Sequence, residues 1–374
     1  MSDTYRRYSA IKRAIMQFYG PNLSGHQEKH FNTLAALICG LVGGKHVHLS
    51  SCADHAPSKG VKQESVIDRF RRWLKNDQHT LAGWFLPIAK QLLLVLAKEP
   101  LQFVMDGSVV GRGCIALMVS VVYHGRALPL CWLVVRGAKG HFPEHVHREL
   151  LRQLKQLVPS DAQVVFLGDG EFDGTELQAD LTLYGWQYVC RTASNIVVTS
   201  NDVVLQIADL RPPRGECVAL TPAFMTTKHY GPVSILALWE AQYEEPLYLV
   251  TNLSDLDVAT AMYKKRAHIE TFFSDQKSRG FNIHKSHLRD PARLCRLLIA
   301  SCLAYLWLVY LGVRAISKEW MRELHRTDRC DLSLFRLGFR LLSRCLKENV
   351  PIPDGFLVPA VLPTTLVRSF HKPV

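Results

Sequence analysis

The chain has 374 residues, 48% apolar and 21% charged, which excludes a disordered chain or one small core and predicts two or three globular domains. Lys and Arg number 45 against 33 Asp and Glu, a net charge of +12 spread along the chain. Nucleic acid is the first partner such a balance suggests, and a basic protein with no such role is the plainer alternative. The ten cysteines form no C-x-x-C pair, which argues against a zinc site, and Cys114, Cys131, Cys190 and Cys302 lie in apolar runs as buried thiols of a reducing compartment.

The opening MSDTYRRYSAIKRAI is too polar for a secretory signal. Residues 1–95 carry a helical pattern with Gly and Pro breaks. Within SVIDRFRRWLKN, Ser65 and Asp68 have capping-box spacing. Ile67, Phe70, Trp73 and Leu74 fall on one arc of about 120°, and Arg71, Arg72 and Lys75 fall opposite. An apolar back and basic front suit a helix set in a DNA groove, and equally a solvated helix. The His46/His48 pair and the His141/His145/His147 group lack acidic or cysteine partners at ligand spacing, which argues against a metal site at either.

From residue 96 the apolar spacing becomes that of strands. LQFVMDGS reads as a short strand ending at Asp106, and GCIALMVSVVYHG and RALPLCWLVVRG as strands joined by a His-Gly hairpin turn. PEHVHRELLRQLKQL is an amphipathic helix opened by Pro143, and AQVVFLGD a buried strand ending at Asp169. GTELQADLTLYG is a helix closed by Gly185, and WQYVCRT another strand. The order β-β-β-α-β-α-β predicts an α/β fold, a mixed five-stranded sheet with helices on both faces.

Residues 194 to about 250, rich in Pro, Gly and short β-like pieces, interrupt that order as a β insertion. Helical spacing returns from about Asp257. The apolar run Leu297–Val313 is at the bottom of the length that spans a bilayer, follows a polar helix directly and holds Ser301, Cys302 and two tyrosines. It reads as a buried core helix, and no membrane partner is expected. A further helix, LSLFRLGFRLLSRCL, and a Pro-rich tail from Pro351 follow. The chain thus divides into an N-terminal all-α domain (1–95), a sheet domain (96–320) and C-terminal helices with a tail (321–374).

Three carboxylates stand out by position: Asp106, Asp169 and Glu270. In a sheet of this order the first strand is central and the fourth pairs beside it, so the two aspartates become neighbours. Close carboxylates repel unless cations neutralise them, and hard oxygen donors suit Mg²⁺ or Mn²⁺. Each aspartate alone is equally a strand-end turn residue. On a helix advancing about 100° per residue, Tyr263, Arg266, Glu270 and Lys277 fall within roughly 60°. Glu270 then faces the aspartates as a third metal ligand, and Arg266 and Lys277 place positive charge for phosphate oxygens. A solvated face with an Arg266–Glu270 pair explains part of this stripe, but not the Tyr and distant Lys.

The spacing Y-x(2)-R-x(3)-E-x(6)-K, present without a gap, resembles the signature of DDE transposases of the IS-four family of bacterial insertion sequences. GFNIHKSHLRD, LLIASCLAYLWLV, FVMDGS and VVFLGDGEFDG resemble the same family, over about residues 30–320. The resemblance implies a ribonuclease-H-like catalytic domain over 96–320 interrupted by the insertion, and an N-terminal DNA-binding domain. It makes Asp106, Asp169 and Glu270 the catalytic triad holding two Mg²⁺ (or Mn²⁺) ions, and Tyr263, Arg266 and Lys277 contacts to the DNA end. Trp239 becomes the candidate for stacking a base drawn from that end, a core position being its other reading. Some relatives carry Arg after the second acid. Here Gly170 and Glu171 follow, and Asp173 is a rival second acid.

The implied function is Mg²⁺-dependent cleavage at transposon ends and strand transfer into target DNA. The implied partners are double-stranded DNA (terminal inverted repeats and target) and a second copy of the chain, with 321–374 as candidate dimer contacts. The implied location is the bacterial cytoplasm, at the nucleoid. Two rivals share these residues: a nuclease without strand transfer, and a non-catalytic DNA-binding remnant.

Overall fold

Six helices precede the first strand: α1 (Asp3–Met16), α2 (Gly25–Gly44), α3 (Leu49–Asp54), α4 (Gln63–Lys75), α5 (Leu81–Trp84) and α6 (Leu86–Leu96). The computed structural model describes residues 1–20, 23–137, 142–317, 320–325 and 331–362. His141 of the histidine group and the tail from 363 onward lie outside the described residues. Ser24 caps α2 through a capping box with Gln27. The cap expected at Ser65 is not one. Helix α4 starts from Lys62, and Ser65 sits inside its first turn. Gln63 and Glu64 are good helix formers, with an acid suited to the helix N-terminus, so the helix starts earlier than the capping pattern suggests. The apolar arc is as read: Val66, Ile67, Phe70, Trp73 and Leu74 are buried.

The strands begin with β1 (Leu101–Gly111), β2 (Cys114–Tyr123) and β3 (Arg126–Arg136), followed by α7 (Glu144–Lys155), β4 (Val164–Gly168), α8 (Thr175–Leu183) and β5 (Gln187–Arg191). This is the expected element order. His124 and Gly125, both at positive φ, make the tight turn between β2 and β3. Strand β1 pairs antiparallel with β2 and parallel with β4, and β4 pairs parallel with β5. Phe103, Val104 and Met105 are consecutive and all fully buried. Successive strand residues point to opposite faces, so helices cover both sides here.

Two expectations about the sheet are corrected. Strand β1 does not end at Asp106. It continues to Gly111, with Asp106 opposite Met118 of β2. The parallel partner β4 leaves β1 after the Val104–Leu167 register, so Asp106 lies where one neighbour has ended and the other continues. The second correction concerns the insertion, which comprises β6 (Val197–Ser200), β7 (Val203–Gln206), β8 (Cys217–Met225), β9 (Tyr230–Leu238) and β10 (Leu247–Thr251). It does not interrupt a five-stranded sheet but extends it. Strand β10 pairs antiparallel with β5, giving ten strands in the order β3-β2-β1-β4-β5-β10-β9-β8-β6-β7. The β5 edge would otherwise be an unpaired row of backbone groups.

The remaining helices are α9 (Leu256–Tyr263), α10 (His268–Gln276), α11 (Pro291–Ser317), α12 (Met321–Leu324) and α13 (Leu334–Lys347). The helix expected to carry Tyr263, Arg266, Glu270 and Lys277 is not continuous. A 3-10 turn, Lys264–Ala267, separates α9 from α10, and Lys277 lies just beyond α10. A 3-10 turn advances about 120° per residue, so one 100° wheel cannot describe the segment. Lys264 is drawn to Glu240 (2.7 Å) and Arg266 to Asp169 (3.4 Å), tertiary anchors that override the local helical pattern.

The apolar run does form a core helix. In α11 an 18-residue window long and apolar enough for a membrane is 94% buried within the protein. It packs against α2, α4, β3 and α13. Its approach to α13 needs two glycines: a Cβ on Gly312 would strike the backbone oxygen of Leu334, and one on Gly338 that of Leu308. Cys114, Cys131, Cys190 and Cys302 are buried free thiols.

Candidate active site

A cleft of about 1080 Å³ opens where β1 outruns β4, and Asp106, Asp169, Arg266, Glu270 and Lys277 line it. Asp106 is fixed by its own strand and accepts a hydrogen bond from the Gly107 N–H at 2.6 Å. Burial pushes its carboxyl up to about 6, Asp169 adds to the rise, and the Arg266 guanidinium partly opposes it. Asp169 follows β4 directly, and its Oδ1 accepts from the Glu171 backbone N–H at 3.0 Å. Glu270 stands in the first turn of α10, its side chain 62% exposed at the rim.

Arg266 ties these acids together. Its Nη1 donates to Asp169 Oδ2 at 3.4 Å and its Nη2 to Glu270 Oε1 at 3.0 Å, with the side chain only 18% exposed. One guanidinium thus neutralises two carboxylates from distant parts of the chain and lowers the pKa of the third. Tyr263 packs half-buried against the core. Burial raises its hydroxyl pKa, with Arg266 and Arg191 opposing. Lys277 reaches the cleft from a turn in which its carbonyl accepts from Asn282 N–H at 2.8 Å.

The rival Asp173 does not itself line the cleft but braces residues that do. Its Oδ2 accepts from Thr192 Oγ1 (2.9 Å) and the Ala193 N–H (3.4 Å). Glu171 and Glu245, neither singled out from sequence, also line the cleft beside the three acids. Glu171 is held in place. Its Oε1 accepts from the Phe142 N–H at 2.6 Å and lies 3.2 Å from Nε2 of buried His147. The GDGEFDG run held the signal, an acid two residues past Asp169, but His147 comes from another helix. Arg191, at the end of β5, also lines the cleft and was not anticipated.

The remaining candidates lie elsewhere. Arg71 donates to Glu64 (2.9 Å) and Asp68 (2.8 Å) of its own helix. This is the solvated-face reading of that side chain. Arg72 and Lys75 are exposed on the last turn of α4. Trp239 is not a core residue. It sits half-buried just beyond β9, with Arg211 and Arg214 guanidinium carbons 4.8 and 5.3 Å from its ring centre. Its indole N–H donates to Tyr243 O at 3.0 Å.

Among the described residues no three His, Cys, Asp or Glu side chains are grouped closely enough to hold one metal ion. The cleft wall has oxygen donors and no imidazole or thiol, which suits a hard divalent cation. The raised pKa of Asp106 comes first from burial and then from the neighbouring Asp169 carboxylate, a charge that a cation would offset. The residues therefore fit such an ion, provided Arg266 leaves its place between Asp169 and Glu270.

The family model described as "Transposase DDE domain" matches residues 104–307, more than half of the chain. No curated protein matches significantly. Among solved structures, piggyBac transposase in a synaptic complex with hairpin DNA aligns at 11% identity and a TM-score of 0.49, covering 97% of this chain and 86% of that one. Human ENDOV aligns at 14% identity and a TM-score of 0.25, covering 59% of this chain and 96% of that one. Likenesses this weak transfer no property.

Proposed function

The chain belongs to the transposase DDE domain family, and from that premise we propose that it cuts DNA at the ends of a mobile element and joins the freed ends to target DNA. The observation that carries this reading is the cleft itself. Asp106 from within β1, Asp169 from just past β4 and Glu270 from α10 line it together with Arg266 and Lys277. The strand order β3-β2-β1-β4-β5 supports reading these strands as a ribonuclease-H-like domain, with β6–β10 as its insertion.

Two Mg²⁺ or Mn²⁺ ions, when bound, would neutralise the acids and polarise the attacking and leaving oxygens of a phosphodiester. The chain's own residues do the rest. Asp106 is held rigidly by β1, and Asp169 is oriented by the Glu171 N–H. Arg266 keeps the acids together while no DNA is present. An arriving phosphate competes for the same guanidinium, since a bidentate phosphate contact suits it as well as a carboxylate does. Arg266 then turns from Asp169 and Glu270, leaving three acids free to act as ligands while it holds the DNA end beside Lys277.

The test is Glu270→Gln, assayed for cleavage of duplex DNA carrying the element's end with Mg²⁺. Loss of a ligand worth several kcal/mol slows cleavage by more than about a hundredfold, with DNA binding retained. Cleavage at the wild-type rate refutes the role of Glu270. Joining of pre-cut ends separates the transposase from a nuclease with the same acids.

A further inference from the structure

A second cationic cavity lies far along the chain from the acids, between α2 and α4. It has a volume of about 540 Å³ and is lined by His26, Lys29, His30, Arg69, Arg72 and Trp73, with three neutral polar residues and no carboxylate. Its distinguishing feature is Arg69. Both Nε and Nη2 of that guanidinium are buried, and neither has a hydrogen-bond partner. Burial lowers its pKa, and the nearest opposing influence is the neutral Tyr8 phenol. A buried charged donor without an acceptor is costly, so an oxygen that accepts from this guanidinium, of a ligand or of water, would stabilise the site. Two residues along, Arg71 is bonded to Glu64 and Asp68. The helix thus neutralises one arginine and leaves the other unsatisfied.

The ligand class follows from what remains available. Two parallel N–H groups on a guanidinium match two oxygens of a phosphate. Lys29 and Arg72 add charge at the rim. The indole of Trp73 is closed to a ligand: Trp73 is only 2% exposed, stacks on His79 at 4.4 Å, and its N–H donates to His30 O. His26 and His30, the other rings of the lining, pack edge to face on each other at 4.4 Å.

We propose that the pocket between α2 and α4 is a phosphodiester subsite, in which Arg69 anchors one backbone phosphate of double-stranded DNA and Lys29 and Arg72 flank it. This rests on the reading of the chain as a DNA transposase. It moves the DNA contact of α4 from the self-paired Arg71 to the recess behind it.

The experiment uses the full chain and a fluorescein-labelled random-sequence duplex, with anisotropy read across a salt series. Arg69→Met lowers affinity about tenfold at low salt and reduces the slope of log affinity against log salt by about one. Lys29→Met, at an exposed rim position, reduces the slope similarly and keeps the test decisive if Arg69→Met fails to fold. Arg13→Met is the charge-matched control. Arg13 pairs with Asp354 on the surface, and its loss leaves both quantities within about twofold.

Wild-type affinity and slope in both Arg69→Met and Lys29→Met overturn the subsite while leaving the transposase reading intact. A wild-type chain that binds no duplex at all overturns both. In a parallel arm, ³¹P line broadening by inorganic phosphate that disappears in Arg69→Met, with duplex binding unchanged, shows a free-anion site and overturns the assignment to DNA.

Discussion

Strands β1–β5 and strands β6–β9 share one sheet but are built differently. In the inner half, consecutive residues such as Phe103, Val104 and Met105 are sealed on both faces. In the outer half, Val203 and Val204 of β7 are 58% and 67% exposed. The inner half draws its stability from packing, and that rigidity fixes where Asp106 and Asp169 emerge. The outer half is packed unevenly: Ile235, Leu236 and Ala237 of β9 are fully buried, whereas β7 at its far edge is open. It carries Trp239 with Arg211 and Arg214 at its end, a surface suited to contact rather than chemistry. Placing a charge to within a fraction of an ångström demands a core on both sides, and presenting a stacking ring does not.

The difference can be broken most directly by stability. Phe103→Ala costs about 3–5 kcal/mol in denaturant unfolding, whereas Val204→Ala changes it by less than about 0.5 kcal/mol. Equal losses would mean the two halves are packed alike.

A smaller effect sharpens the inner half. Asp275 of α10 is 1% exposed and paired with Arg126 at 2.8 Å, yet burial outweighs the guanidinium and pushes its carboxyl from 3.8 to about 6. The folded state then binds this proton more tightly than the unfolded state. Stability falls as pH rises from about 4 to about 6 and is level above, by at most about 3 kcal/mol. Asp275→Asn removes that slope whatever it does to the absolute stability, and an unchanged slope refutes the assignment.

The smallest expected effect lies in the outer half. Trp239→Ala leaves the melting temperature unchanged and weakens binding to DNA ends by about 1–3 kcal/mol. Unchanged affinity for DNA ends removes the stacking role.

Much of the inner half was legible because its signals are local. The His-Gly turn, the amphipathic α7 and the buried run before Asp169 each announce themselves within a dozen residues. That Asp169 directly follows a buried strand was legible for the same reason. What sequence could not supply were contacts made across the sheet. Asp106 looked like the end of a strand because β4's departure beside it is invisible from β1. The broken helix around Arg266 depends on Asp169 and Glu240, which lie elsewhere in the chain. Glu171 needed His147 and Phe142 beside it before it read as part of the cleft. The join between β5 and β10 was missed because a Pro- and Gly-rich segment reads as an excursion, and pairing register is not written in composition.

That join limits how the molecule can change over time. Leu249, Val250 and Thr251 lie directly against Arg191, Cys190 and Val189. Excising the segment as a cassette would expose a bare ribbon edge next to the acid-lined cleft and invite aggregation. Loops at the far end can lengthen or shrink freely, but the returning strand must stay. The appendage that looks most dispensable in sequence is therefore the one this architecture cannot give up whole.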